Sequence, residues 1–471
     1  TGYRVRNLGD LDNDGIDDLG FNKRTPIVGG FQDGQVFVVY GGPTVAEDFA
    51  DYEALLPENG GDGTRGFVLT GSETEFLGRD FFGGADVNGD GLDDLIVLSN
   101  REFDTTRGMG MAWVLYGYGD RSWPAEINQE ALSTLPPERG FAIVPPVLEH
   151  IPESDDGFYD ARFINDLNQD GISEIALCRS ISHYAGTDFN GSCFLLFGRI
   201  GSEPFPSVVD LGTLLTQNGG DGTTGMVVTG ANRAALGSNS LSKERGGFDV
   251  GDAGDFDGDG YSDLVVNAPG VAVQSEAYLI FGGQPLPAEI DFRDGFDTVA
   301  GQIRLTRFRS DLEAPSSLLH FGTAIQGVGD LNHDGFDDLA MTGEFGSDLE
   351  NTGAWIVFGR PSPPQEFVVD SLLPENGGDG RGGLFIRDFP DEEGLGVGLA
   401  HGDFNDDGID DVALGAPLSD PGGRSNAGRV VILYGRGGAT RVPSLNSLGL
   451  LLLTTLLGLL AVGALLKRNT Q

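Results

Sequence analysis

The sequence predicts an all-β protein, a β-propeller of four-stranded blades, followed by one C-terminal transmembrane helix. Three observations predict it. An acidic nine-residue loop recurs six times, with starts at residues 10, 86, 166, 255, 330 and 403, and a period in the tens of residues marks a series of like supersecondary units. Each loop is followed by short runs of β-branched and aromatic residues bounded by Gly, Asn and Asp, and no repeat sustains a 3.6-residue apolar period. The chain holds 76 glycines at a hydrophobic fraction of 39%, which suits many short strands joined by tight turns. Small sheets repeated at this length read as radial blades.

In every loop, oxygen-bearing side chains stand at positions 1, 3, 5 and 9. They are Asp10, Asp12, Asp14 and Asp18 in the first loop, Asp86, Asn88, Asp90 and Asp94 in the second, and Asp166, Asn168, Asp170 and Glu174 in the third. The fourth has Asp255, Asp257, Asp259 and Asp263, the fifth Asp330, Asn332, Asp334 and Asp338, and the sixth Asp403, Asn405, Asp407 and Asp411. Alternate oxygens with a glycine at position 6 are what a hard cation such as Ca²⁺ needs, because the glycine lets the backbone bend so that a position-7 carbonyl also points inward. Those carbonyls belong to Ile16, Leu92, Ile172, Tyr261, Phe336 and Ile409. The loop is not an EF-hand, which needs a bidentate Glu at position 12. Position 12 here is Phe21, Val97, Leu177, Val266, Met341 or Leu414, so the position-9 acid is expected to close the shell.

The strands follow in fixed order. The first run after the loop is typified by Asp94–Leu98 and Asp263–Val266. The next ends in aromatic-Gly, as in Gln35–Gly41, Ala112–Gly117, Cys193–Gly198, Ala277–Gly282, Ala354–Gly359 and Arg429–Gly435. A third run is read at Gly66–Leu69, Gly140–Ile143, Gly225–Val228 and Gln302–Leu305, and a short stretch precedes each later loop. This gives about four strands per repeat, with the acidic loop between the first and second. The repeats start near residues 1, 80, 158, 247, 320 and 394. Asn-Gly-Gly-Asp-Gly at 59–63, 218–222 and 376–380 is read as a hairpin turn rather than a second metal site. The last repeat has no run after Gly435, so the expectation is that a strand upstream of Thr1 completes the ring.

These residues resemble the FG-GAP repeats of integrin α subunits. Gly415-Ala-Pro417 carries the GAP, and Phe82-Gly83 and Phe321-Gly322 carry the FG. In other repeats the motif is degraded, as at Leu19-Gly20 and Leu395-Gly396. The resemblance covers residues 1–436. It implies a propeller, seven-bladed in most members, with Ca²⁺ held in hairpin loops on one face by the side chains and carbonyls named above, up to six ions in all.

A formal charge of −43, from 72 acidic and 29 basic residues, argues against a nucleic-acid or anionic-membrane partner for the body. Residues 437–447 form a linker with a motif, Val442-Pro-Ser-Leu445, that resembles bacterial C-terminal sorting signals and implies a membrane-embedded sorting enzyme as partner. Residues 448–466 are uniformly apolar and long enough to cross about 30 Å of hydrocarbon. The basic end, 467–471, would stay cytoplasmic. The expected location is therefore a bacterial cell surface or outer envelope.

Cys178 and Cys193 lie on neighbouring strand candidates, which leaves both a disulfide and two buried thiols open. Trp113 and Trp355 read as core, and Trp123, in a loop, as a contact candidate. Among the histidines, His333 faces solvent in the fifth loop. No G-x-S-x-G, HExxH or P-loop pattern is present, so no catalytic residue is assigned and the chain is read as a non-enzyme. The expected function is calcium-dependent adhesion or recognition of a protein or glycan ligand. The alternatives are a carbohydrate-active propeller enzyme with charged or aromatic side chains in its central channel, and a structural envelope module.

Overall fold

A computed structural model describes residues 4–24, 34–42, 52–71, 75–101, 110–119, 121–146, 158–182, 190–229, 250–268, 276–292, 295–310, 320–344, 352–387, 395, 398–416, 419–420 and 428–436. The linker, sorting motif and apolar segment after residue 436 lie outside them. No helix among the described residues is long and apolar enough to cross a membrane.

The described chain is all-β, in six β-propeller blades. The first blade is β1 (Val5–Gly9), β2 (Asp18–Arg24), β3 (Gly34–Val39) and β4 (Gly66–Thr70). The second is β5 (Glu75–Ala85), β6 (Asp94–Arg101), β7 (Met111–Leu115) and β9 (Gly140–Val144). The third is β10 (Phe158–Ile164), β11 (Glu174–Ser182), β12 (Asn190–Leu196) and β14 (Gly225–Thr229). The fourth has β15 (Val250–Asp252), β16 (Leu264–Ala268), β17 (Glu276–Ile280) and β19 (Leu305–Arg309). The fifth has β20 (His320–Gly327), β21 (Leu339–Glu344), β22 (Thr352–Val357) and β24 (Gly383–Arg387). The sixth has β25 (Gly398–Gly402), β26 (Asp411–Ala416) and β27 (Arg429–Leu433), and no fourth strand among the described residues. Successive long strands pair antiparallel, and the acidic loop joins the first strand to the second in every blade.

A further short strand falls between the third and fourth long strands of the middle repeats: β8 (Glu126–Asn128), β13 (Val208–Asp210), β18 (Glu289–Asp291) and β23 (Glu366–Val368). β8 pairs parallel with β4, β13 with β9 and β18 with β14, each covering the outer edge of the preceding blade. At three residues each, these strands carry too little periodicity to be read from sequence.

The chain divides into two compact units, residues 1–255 with 259–307, and residues 256–258 with 308–471. In the first, apolar side chains of facing blades interdigitate. Leu8, Val36, Val38 and Phe67 of the first blade pack with Phe81, Val97 and Trp113 of the second. Ile96, Val114 and Phe141 of the second pack with Phe163, Leu177 and Phe194 of the third. In the other unit, Ala340, Ala354 and Ile356 pack with Val412 and Leu414. Alternation along each strand puts one set of side chains on each neighbour.

Three expectations are corrected. The run read at Gln302–Leu305 is displaced: β19 begins at Leu305, and a short helix, α2 (Phe296–Ala300), ends just before it. An equally short α1 (Gln129–Ser133) occupies that place in the second repeat, where Asn128 caps it by accepting the Ala131 amide. The Asn-Gly-Gly-Asp-Gly segments are not hairpin turns. Each ends a 3-10 turn, with Gly60, Gly219 and Gly377 as left-handed C-caps at φ 94°, 95° and 91°. Their asparagines donate back to the Glu53, Gly212 and Asp370 carbonyls. The cap needs a left-handed residue as a hairpin does, and Asn-Gly meets either need. Trp123 is 8% exposed, lies 5.8 Å from the Phe67 ring and is covered by Arg139 at 4.8 Å, so it is core. Trp113 and Trp355 are core as read.

Cys178 and Cys193 face each other across β11 and β12 with Cα atoms 4.0 Å apart, and they form a disulfide. For a bridge with a sequence separation of 15, the Cys178→Ala/Cys193→Ala double variant should lose about 3 kcal/mol of stability, read from its urea midpoint.

Candidate metal centres in the repeat loops

All six loops share one hydrogen-bonded frame. The position-1 carboxylate accepts the amides of positions 5 and 6, as in Asp14 N and Gly15 N to Asp10 at 3.0 and 2.8 Å. The same pair recurs on Asp86, Asp166, Asp255, Asp330 and Asp403. The position-5 carboxylate in turn accepts the position-7 amide, from Ile16, Leu92, Ile172, Tyr261, Phe336 and Ile409. The position-6 glycines have φ between 81° and 93°, where an L side chain is strained although space is open.

Position 4 is left-handed too, at Asn13, Gln169, His333 and Asp406 (φ 61°, 74°, 56° and 60°) and at Gly89 and Gly258. Sequence reading missed this requirement, whose one signal is the recurrence of Asn, Asp and Gly there. His333 is exposed, as read.

The position-9 acids are buried: Asp94, Glu174, Asp263, Asp338 and Asp411 are 0% exposed and Asp18 is 2% exposed. Four of them link the loop to the end of the third strand. Asp94 accepts Val87 N at 2.9 Å with one oxygen and Gly117 N at 3.0 Å with the other. Asp18 does the same with Leu11 and Gly41, Asp338 with Leu331 and Gly359, and Asp411 with Phe404 and Gly435. This gives the aromatic-Gly signature its reason. A Cβ on Gly41, Gly117, Gly282 or Gly435 would fall 2.1–2.5 Å from the carbonyl oxygen of the loop's eighth residue.

In the first and fourth loops the carboxylates of positions 1, 3 and 5 converge, Asp10 with Asp12 and Asp14 and Asp255 with Asp257 and Asp259, each set offering oxygens within 4.8 Å of one another. In the third loop the converging set is Asp166, Asp170 and Glu174. Asp18 and Asp263 are not part of these clusters. The second, fifth and sixth loops have Asn88, Asn332 and Asn405 at position 3, leaving two acids beside the position-9 carboxylate. Two buried oxygens at ligand positions, Glu174 Oε1 and Asn332 Oδ1, have no hydrogen-bond partner. Buried oxygens left unmatched within an all-oxygen donor set fit a hard cation.

Two arginines also reach the loops from distant sequence. Arg121 pairs with Asp12 and places Nη2 2.6 Å from Asp14 Oδ2. Arg304 Nη2 lies 2.8 Å from Asp259 Oδ2.

Burial drives four of the position-9 carboxyls, Asp18, Asp94, Glu174 and Asp338, upward. Asp18 is pushed up to about 7, Asp338 to about 8 and Glu174 to about 9. Desolvation raises Asp94 as well, against the amides it accepts. Without a cation, the folded state then binds more protons than the unfolded state above the ordinary carboxylate pKa near 4. The contribution of these groups to stability is full below about pH 4 and is lost as pH rises through 7, 8 and 9. Melting curves in chelator should shift to lower temperature from pH 5 to pH 9, and a cation that needs these groups ionised should shrink that slope.

Comparison with known proteins agrees with this geometry. An FG-GAP repeat model matches residues 250–280 and 395–433. Integrin alpha-PS3 of Drosophila melanogaster is 30% identical over 175 residues, covering 35% of this chain and 13% of that protein. Integrin alpha-PS5 of the same organism is 31% identical over 175 residues, 35% of this chain and 14% of that protein. The chain thus spans only about an eighth of the length of these relatives. The matched repeats, the similarity to integrin α chains and the six loop-bearing blades together support an integrin-α-like β-propeller.

Proposed function

We propose that this chain is a calcium-binding, surface-displayed propeller acting in adhesion or in recognition of a protein or glycan ligand. The observation that carries the reading is the loop frame itself. Six loops hold the same oxygen positions in the same register, and three of them bring three carboxylates together. A shared frame of that kind gives each loop a preformed set of hard donors and stiffens the connection between first and second strands. The similarity to integrin α chains supports an extracytoplasmic, non-enzymatic role for the body. In this reading the tail acts as proposed from sequence, with Val442-Pro-Ser-Leu445 addressing a sorting enzyme and residues 448–466 holding the protein in a membrane.

The test is capture of ligands from envelope fractions by the immobilised body, with calcium and with chelator. A partner retained only in calcium supports the reading, and a partner set indifferent to calcium overturns the calcium-dependent part of it.

A further inference from the structure

The first strands of the first three blades carry a charged cluster away from the loops. Asp80 on β5 lies 3.3 Å from Arg6 and 3.5 Å from Arg4, both N-terminal to the first loop. Asp160 on β10 pairs with Arg162. Phe82 lies between these groups, with the Arg6 guanidinium 4.6 Å and the Arg162 guanidinium 3.9 Å from its ring centre.

Three features separate this cluster from an ordinary surface ion network. The two carboxylates are nearly buried, at 6% and 8% side-chain exposure, whereas Arg4, Arg6 and Arg162 remain 42%, 26% and 21% exposed. Both acids also serve the backbone, Asp80 accepting Phe81 N at 3.1 Å and Asp160 accepting Val250 N at 3.2 Å. The five residues carry a formal charge of +1 between them, on a chain of −43. The residue four places before each loop is Arg6, Phe82, Arg162, Gly251, Gln326 or Leu399 in turn. The fold accepts glycine, glutamine and leucine at this position, so the strand itself does not need arginine. Two like charges held on one aromatic ring repel each other, and the Arg6 pKa is lowered, by burial first. A bound anion relieves that repulsion.

We propose that Arg6 and Arg162, backed by Arg4 and Phe82, form a carboxylate-binding site. A guanidinium offers paired N–H groups in a fork that matches a carboxylate. The ligand class is a small carboxylate group, whether of a uronic acid or of an acidic side chain. The site's own acids, Asp80 and Asp160, are each paired with arginine and position the guanidiniums; they give no acid–base pair of the kind a channel enzyme would use. None of these residues is a loop ligand, so the site stands or falls apart from calcium binding.

The test is calorimetric titration of the calcium-saturated protein with glucuronate and with N-acetylaspartate amide. The neutral counterparts glucose and N-acetylasparagine amide serve as controls. Saturable binding of a carboxylate and not of its neutral counterpart is expected, and the tighter of the two identifies glycan or peptide as the source. Arg6→Gln and Arg162→Gln should each weaken binding about tenfold or more, as expected for loss of a hydrogen bond to a charged group. Arg162→Lys, which keeps charge but not the fork, should fall between and guards against a folding defect, as do unchanged circular dichroism spectra. No saturable binding by either carboxylate, or wild-type affinity in the folded Gln variants, overturns the proposal.

Discussion

Calcium added to chelator-stripped protein should raise its melting temperature by on the order of 10 °C. A ligand present at a hundred times its dissociation constant adds about 2.7 kcal/mol per site. For domains of a few hundred residues, each kcal/mol moves the transition by about 2–4 °C. Two fully occupied loops suffice for the stated shift. The first and fourth loops, with three converging carboxylates each, have the strongest field, but each also has an arginine beside it. The third, built from Asp166, Asp170 and Glu174, has an unmatched Glu174 oxygen. Scanning calorimetry with calcium and with chelator reads the effect. Identical transitions in both would mean that the loops are only hydrogen-bonded turns.

Asp94→Ala should destabilise the protein by about 2–6 kcal/mol even without a cation. The residue is 0% exposed, and its removal strands the Val87 and Gly117 amides. Each buried donor left unsatisfied costs about 1–3 kcal/mol. Asp94→Asn keeps the shape but turns one acceptor into a donor facing an amide, so its cost should be about half. Asp90→Ala, on the exposed rim of the same loop, provides the comparison, because a ligand-only role would make the two alanine variants alike in chelator. Denaturant midpoints of the three variants decide the matter. A loss at Asp94 no larger than that at Asp90 would show that the clamp between loop and third strand carries no weight.

The loops and long strands were legible because their signals are local. Oxygens at alternate positions and a glycine at the sixth fall within nine residues, and strands of five or more residues alternate visibly. What was missed depends on partners far away in sequence. Arg121 reaches Asp14 across 107 positions, and Gly41 donates to Asp18 across 23. The aromatic-Gly pair was visible as a repeat feature, but its role appears only when the third strand lies against the loop. Trp123 was misread because a loop position says nothing about what folds over it. The Asn-Gly-Gly-Asp-Gly segments were misread because a left-handed glycine ends a helical turn as readily as it reverses a hairpin.

The short parallel strands β8, β13 and β18 have a consequence for how this protein can be divided. The repeat seen in sequence runs from loop to loop, but the first three blades borrow their edge cover from the following repeat. A fragment cut after Thr70 would expose the outer edge of β4, a ready template for pairing with another chain. A fragment extended through Asn128 would carry β8 over that edge, at the expense of an incomplete second blade. The autonomous piece and the repeated piece are therefore out of phase, and no single repeat excised at its loop boundaries should behave as a soluble module.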